Sequence, residues 1–266
     1  MNMQYGMPSL IEIKSAESCA CLCGELGLDF VELSMNLPEY QTDRIDAGQL
    51  AGIMERYGIY FTIHLDENLS PCNFNNKVSA AYTETVLQTI EIAKRLGMPV
   101  INMHLQSGVF FTLPGRKLFL FEEYEHEYLQ KLAAFRDICE KAIGGSGIAI
   151  CVENCGDFGS KPYIRKSLSL LLESPVFAVT FDIGHNAAAD FTDEPVIMEH
   201  LDRLHHMHIH DAKEKSNHLA LGDGNLDLMK YFSMAQEHNC RVVLEVKTVE
   251  GLRKSAAWAG EKGLLK

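Results

Sequence analysis

The sequence predicts a single-domain (β/α)8 TIM barrel spanning residues 1–266, and three observations carry that expectation. Short β-branched runs alternate eight times with longer segments of helical period. No Gly/Ser/Pro-rich linker or block of like charge divides the chain. Seven of the eight runs close on a carboxylate or an imidazole, the position where barrels of this kind carry their chemistry.

Taken in order, the first expected strand is Gln4–Met7, followed by a helix over Ser15–Leu26 that Gly27 terminates. Phe30–Ser34 leads to Ala47–Tyr57 and Gly58, and Tyr60–His64 leads to Lys77–Leu96 and Gly97. A glycine directly after a helical run suits a left-handed C-terminal cap. The third helix carries the stripe Tyr82, Val86, Ile90 and Ala93, one apolar face at helical spacing. Val100–His104 precedes Glu122–Ala142, whose stripe is Tyr128, Leu132, Phe135 and Cys139. The remaining strands are Ile148–Glu153, Phe177–Asp182, Leu204–Ile209 and Arg241–Val246, with helices at Arg165–Leu172, Pro195–Leu201, Leu226–Glu237 and Glu250–Lys262. A doubly wound sheet would need a glycine-rich phosphate turn after its first strand, and none is present.

Two connections are long. Gln106–Phe121 holds Phe110, Phe111, Leu113, Leu118, Phe119 and Phe121 around Pro114-Gly115-Arg116-Lys117, an apolar composition that fits a lid or a contact in a homo-oligomer. Asp211–Asn225 is polar, follows the seventh strand, and holds Gly222-Asp223-Gly224, which reads as a tight turn near the site.

The formal net charge of −12 disfavours nucleic acid and anionic membrane surfaces as partners. The N-terminus lacks the basic and apolar regions of a secretory signal, and no stretch reaches the roughly 18 apolar residues of a membrane span. None of the eight cysteines forms a C-x-x-C pair, and C-x-C-x-C at Cys19, Cys21 and Cys23 splits its thiols between helix faces. Reduced thiols in a cytoplasmic protein are the expectation.

With period two, Glu153 shares a face with Cys151 and Ala149, Asp182 with Thr180 and Ala178, and Glu245 with Val243 and Lys247. The large apolar residues of the same strands face the other way, toward covering helices. The acids and imidazoles Glu32, His64, His104, Glu153, Asp182, His208 and Glu245 therefore converge on one mouth. Several carboxylates gathered there must protonate or share a cation. The mixture of Glu, Asp and His suits one divalent metal, Mn²⁺, Mg²⁺ or Zn²⁺.

At these residues the chain resembles the xylose-isomerase-like barrel superfamily, which joins sugar and sugar-phosphate isomerases and epimerases with the endonuclease IV class. The resemblance rests on V-E-N at Glu153, F-D-I-G-H at Asp182 and His185, H-I-H-D at His208 and L-E-V-K at Glu245, in that order. It implies that Glu153, Asp182, His208 and Glu245 hold a single metal. It further implies a small carbohydrate substrate, sugar or polyol, isomerised or epimerised by proton transfer through a metal-stabilised cis-enediolate, with Glu153 and Glu245 as the proton-transfer groups. His185 would bind substrate oxygens, and Glu32, His64 and His104 would shape the pocket or orient the ligands.

The nuclease branch of the same resemblance would add a second zinc at His64, His104 and Glu153, making a phosphodiesterase or abasic-site endonuclease. Its third site requires an Asp-x-His in the loop after strand seven, where this chain reads Ser216-Asn217-His218. A polyol dehydratase and a non-catalytic sugar-binding barrel are further alternatives. His210 reads equally as a substrate-binding or a structural residue, and Lys247 as a substrate ligand or a partner of Glu245. His126, His200, His205, His206 and His238 have no motif around them and are expected at the surface or behind the site.

Overall fold

The computed structural model describes residues 3–265. Eight strands close a parallel barrel: β1 (Gln4–Pro8), β2 (Phe30–Ser34), β3 (Tyr60–His64), β4 (Val100–His104), β7 (Ala149–Glu153), β8 (Phe177–Asp182), β9 (Leu204–Ile209) and β12 (Arg241–Leu244). Two antiparallel hairpins stand outside it, β5 (Phe110–Leu113) with β6 (Arg116–Phe119), and β10 (Asp211–Lys213) with β11 (Ser216–Leu219).

The helices are α1 (Ala16–Glu25), α2 (Ala47–Tyr57), α3 (Asn76–Leu96), α4 (Leu120–Glu123), α5 (Glu125–Ile143), α6 (Pro162–Leu172), α7 (Ile183–Ala188), α8 (Glu194–Met198), α9 (Leu228–Glu237) and α10 (Val249–Glu261). Their ends follow from local chemistry. Ser15, Asp46, Asn75 and Thr248 accept backbone N–H bonds at the starts of α1, α2, α3 and α10. Gly58 and Gly97 close α2 and α3 at φ of 66° and 63°.

Strand alternation divides the interior in two. Outward residues such as Val31, Ile63, Ile101, Val152, Phe181, Met207 and Leu244 join the helices in one continuous apolar core. Inside the barrel, Val100, Cys151 and Ala178 form a small separate cluster, and Phe30 stacks on Tyr60 with ring centroids 5.1 Å apart. Small apolar residues and the Phe30–Tyr60 pair thus fill the lower barrel, and polar residues follow toward its C-terminal end. One irregularity matters for the site. Between Val179 and Thr180 the partner shifts from Leu204 to His206, so His205 is skipped. His205 is exposed, whereas His206 and His208 are fully buried.

Several element boundaries differ from expectation. The last barrel strand stops at Leu244, leaving Glu245 just beyond the ladder. The run expected as one helix from Glu122 breaks at Tyr124 into α4 and α5, and α8 ends at Met198 before a 3-10 turn at Leu201–Arg203. Helix α6 begins three residues early because Pro162 supplies a favoured first-turn residue. Both long connections are hairpins. Phe110, Phe111 and Leu113 on β5 remain exposed.

Two glycines give opposite expectations. A Cβ on Gly6 would fall within the Phe30 ring inside the barrel, whereas one on Gly52 in α2 would meet open space. Gly6→Ala is therefore expected to cost about 1–3 kcal/mol by overpacking. Gly52→Ala should gain about 0.5–1 kcal/mol from helix propensity. Urea denaturation of both variants checks the pair.

Candidate active site

Barrel registry places the polar side chains at one level. His104 lies beside Glu153, Asp182 beside His208, and Ser34 beside His64. One ligand atom each from Glu153, Asp182, His208 and Glu245 lies within 4.8 Å of the other three, and all four residues are buried. The four donors expected from sequence are thus gathered at a single point.

His208 Nδ1 is the hub. It stands 3.1 Å from Glu245 Oε2, 3.4 Å from Glu153 Oε2 and 3.9 Å from Asp182 Oδ2. Neither His208 Nδ1 nor Glu245 Oε2 has a hydrogen-bond partner, although both atoms are buried. Buried lone-pair atoms left unsatisfied and pointed at one spot among carboxylates match what a divalent cation requires of its ligands.

Each glutamate divides its two oxygens between different tasks. Glu153 Oε2 faces His208 and accepts from Asn102 Nδ2, whose own Oδ1 accepts from Thr180 Oγ1 at 2.6 Å. His64 Nε2 and His104 Nε2 approach the same oxygen at 3.2 and 3.4 Å. Glu153 Oε1 instead faces His185 Nδ1 at 3.2 Å. Glu245 repeats the pattern: Oε2 faces His208, while Oε1 accepts from Lys247 Nζ at 2.7 Å.

Asp182 is fixed from behind. Its backbone N–H donates to Asn154 Oδ1 at 2.8 Å, and its Oδ1 accepts the His185 N–H that begins α7. His210 Nε2 lies 3.1 and 3.0 Å from the two Asp182 oxygens. The His218 N–H donates to His210 Nδ1 at 2.7 Å, which leaves Nε2 as the protonated nitrogen facing Asp182. His218 reaches that position with a left-handed backbone, φ 55°.

The titration behaviour follows from these contacts. Burial alone would raise the carboxyl pKa of Glu153, but His208 and His104 outweigh it and hold Glu153 well below the ordinary range. Burial also works against ionised Asp182 and Glu245, yet His185 and His210 lower the first and His208 the second. Conversely, burial would lower His208, but Glu153, Glu245 and Glu32 raise it well above an ordinary imidazole. His104 and His185 are raised against burial mainly by Glu153 and Asp182 respectively.

Other expected site residues fall as follows. His64, His104 and His185 ring the centre, with His64 and His104 edge-to-face at 4.9 Å. Glu32 is 2% exposed, and its oxygens are turned toward His206 and His208 rather than into open space. For two residues the geometry separates the readings left open by sequence. His210 is 0% exposed and packed against Gly184, so it faces Asp182 instead of a substrate. Of the two readings of Lys247, the structure shows the pairing with Glu245: its side chain, 56% exposed, reaches Oε1 at the rim just beyond the strand end at Leu244. Beside Glu245 opens a cavity of about 250 Å3, lined by Ser9, Ser34, Asn36, His64, Glu67 and Lys247 among others.

Sequence reasoning did not single out Asn102, Thr180, Asp193 or Asp211. The first two were accessible through parity, one step below His104 and Asp182. Buried Asp193 accepts the Gly156 and Gly159 N–H groups, and buried Asp211 accepts those of Ala212, Gly222 and Leu226. These clamps shape the loops after β7 and β9, and depend on backbone positions that a motif does not encode.

The model for xylose isomerase-like TIM barrels matches residues 22–262. The chain belongs to this family. Among solved structures it is similar to a D-tagatose 3-epimerase-like protein (TM-score 0.78, 23% identity, covering 97% of this chain and 96% of that one). It is also similar to a 3-keto-D-glucoside 4-epimerase from E. coli (TM-score 0.75, 15% identity, 98% and 100% coverage) and to an L-ribulose 3-epimerase (TM-score 0.74, 16% identity, 97% and 94% coverage). No curated protein sequence matches the chain. No helix among the described residues is long and apolar enough to cross a membrane.

The clustered charges set a pH expectation for the metal-free protein. Glu153, Asp182 and Glu245 are lowered in the fold, so their contribution is present above their unfolded values near 4 and is lost as pH falls through the folded ones. His208, His104 and His185 are raised from 6.5, so theirs is present below that value and is lost as pH rises through the raised ones. Thermal melts in a chelating buffer should therefore show a midpoint that declines from about pH 6 toward pH 9. A rising midpoint over that interval contradicts this charge balance.

Proposed function

We propose that the chain is a divalent-metal-dependent sugar or polyol isomerase or epimerase. The observation that carries this reading is the convergence of Glu153, Asp182, His208 and Glu245 donor atoms within 4.8 Å, with His208 Nδ1 and Glu245 Oε2 buried and unpartnered. The activities of the epimerases that share this fold support it. These four residues would hold the metal. A divalent cation in that position supplies Lewis-acid stabilisation of negative charge on oxygen next to a carbonyl carbon.

The chain's own residues supply the proton transfers. Glu153 and Glu245 are ionised at neutral pH because their carboxyl groups are held low, so each begins able to accept a proton. One removes the proton from the carbon beside the carbonyl, leaving a cis-enediolate. The other, once it has taken up a proton from solvent water, returns it to the opposite face for epimerisation, or to the neighbouring carbon for isomerisation, and the first glutamic acid releases its proton to water. Their Oε1 atoms, held by His185 Nδ1 and Lys247 Nζ, are the oxygens turned away from His208. His64 and His104 close the wall beside Glu153, and Ser34 and Asn36 offer hydroxyl and amide groups to sugar oxygens.

The approach of His64 and His104 to Glu153 Oε2 also favours a second reading, a zinc phosphodiesterase with a further cation there. Metal content separates the two, about one ion per chain for the isomerase and two or three zinc ions for the hydrolase. A polyol dehydratase shares the first proton removal and is distinguished by the loss of water from its product.

Deuterium exchange tests the reading. In D2O, wild-type protein with Mn²⁺ should incorporate deuterium beside the carbonyl of a ketose it turns over. Glu245→Gln should lose at least about 100-fold of that exchange while remaining folded. Unchanged incorporation contradicts the assignment.

The cavity wall sets a further expectation. Glu32, Glu67 and Glu245 line it against a single cation, Lys247, which Glu245 already engages. Unphosphorylated ketoses should therefore be turned over with higher kcat/KM than their phosphates. The reverse preference, measured across matched pairs, contradicts this.

A further inference from the structure

Beneath the hub lies a polar chain that the proposed proton transfers do not use. Glu32, on the second barrel strand, is enclosed between two histidines of the strand across the mouth. Its Oε1 stands 2.9 Å from His208 Nε2, and its Oε2 stands 3.1 Å from His206 Nε2. Thr62 Oγ1 donates to the same Oε2 at 3.1 Å. His206 and His208 are 0% exposed, with rings edge-to-face at 5.3 Å. The skipped residue at His205 is what brings both of these histidines inward.

A buried carboxylate costs several kcal/mol unless its oxygens are satisfied. Here Oε2 is engaged by His206 and Thr62, and Oε1 lies 2.9 Å from the ring nitrogen of His208 that faces away from the shared centre, a buried atom with no other polar partner. An imidazole whose rear nitrogen donates to a carboxylate has its front nitrogen free as a lone-pair donor, and its ring cannot rotate without breaking the rear contact. Thr62 and His206 secure the second Glu32 oxygen, so the carboxylate itself has a fixed orientation.

We infer that Glu32 is a positioning residue: it fixes the tautomer and ring angle of His208 so that Nδ1 is presented to the centre formed with Glu153, Asp182 and Glu245, and His206 and Thr62 hold Glu32 in place. This inference rests on the proposed metal reading. Of the two roles left open for Glu32, shaping the pocket and orienting the ligands, it assigns the second and names the ligand, the atom and the residues that hold Glu32.

The test measures Mn²⁺ affinity by calorimetry, together with 15N-histidine NMR of the Zn²⁺-loaded protein, for wild type, Glu32→Gln and Thr62→Val. Wild type should show an Nε2–H signal for His208 shifted downfield by its carboxylate partner. Glu32→Gln should weaken Mn²⁺ binding by roughly 10–100-fold and move that signal upfield. Thr62→Val removes only one hydroxyl donor and should weaken binding by a few fold, so it keeps the inference testable if Glu32→Gln does not fold. Wild-type binding with unchanged affinity and an unmoved Nε2–H signal in the variants overturns the positioning role alone. Wild-type protein that takes up no divalent cation overturns the metal reading, and the positioning role with it.

Discussion

Three buried carboxylates facing one imidazole nitrogen are the constraint around which the upper barrel is built. Glu153, Asp182 and Glu245 are at most 8% exposed, and their charges meet within a few ångströms of His208 Nδ1. Removed from water, such charges repel each other strongly and are tolerated only with compensating donors or a cation. The surrounding residues answer that demand one by one. His185 and Lys247 cover the outer oxygens of the two glutamates, Asn102 caps the inner oxygen of Glu153, and His210 braces Asp182.

The barrel makes this arrangement rigid rather than incidental. Each donor sits on a strand or immediately after one, and strand registry sets its height, so no donor depends on a long flexible loop for its position. Where a loop does contribute, it is pinned: Asp211 gathers three backbone N–H groups, and the hairpin that follows delivers the His218 N–H to His210. The same rigidity explains the tight glycines. Gly184 lies against the His210 ring because a helix begins immediately after Asp182, and a larger residue there would push the imidazole off its carboxylate.

Much of this was legible in the sequence. Alternating runs and glycine stops located all eight barrel strands, and period-two parity pointed Glu153, Asp182 and Glu245 inward. What stayed hidden depends on geometry between strands. The bulge beside His205 cannot be read from a run of Leu-His-His-Met-His, yet it decides which histidines enter the barrel. For Lys247 parity was continued past the strand end at Leu244, so its pairing with Glu245 at the rim could not be told from a substrate contact. His210 had the right parity for the mouth, but only the packing of Gly184 and the His218 backbone shows it enclosed behind Asp182. The long Phe-rich connection gave its composition away but not its hairpin pairing, since Pro114-Gly115 is compatible with a turn in many loop shapes.

On the proposed reading, a single divalent cation resolves the charge conflict at the mouth and unites the four residues that the chain brings together from distant segments. Anomalous diffraction from crystals soaked in Mn²⁺ measures this directly. One strong anomalous peak should appear in contact with Glu153, Asp182, His208 Nδ1 and Glu245. A peak that leaves any of these four outside bonding distance, or a mouth with no peak at saturating Mn²⁺, contradicts it.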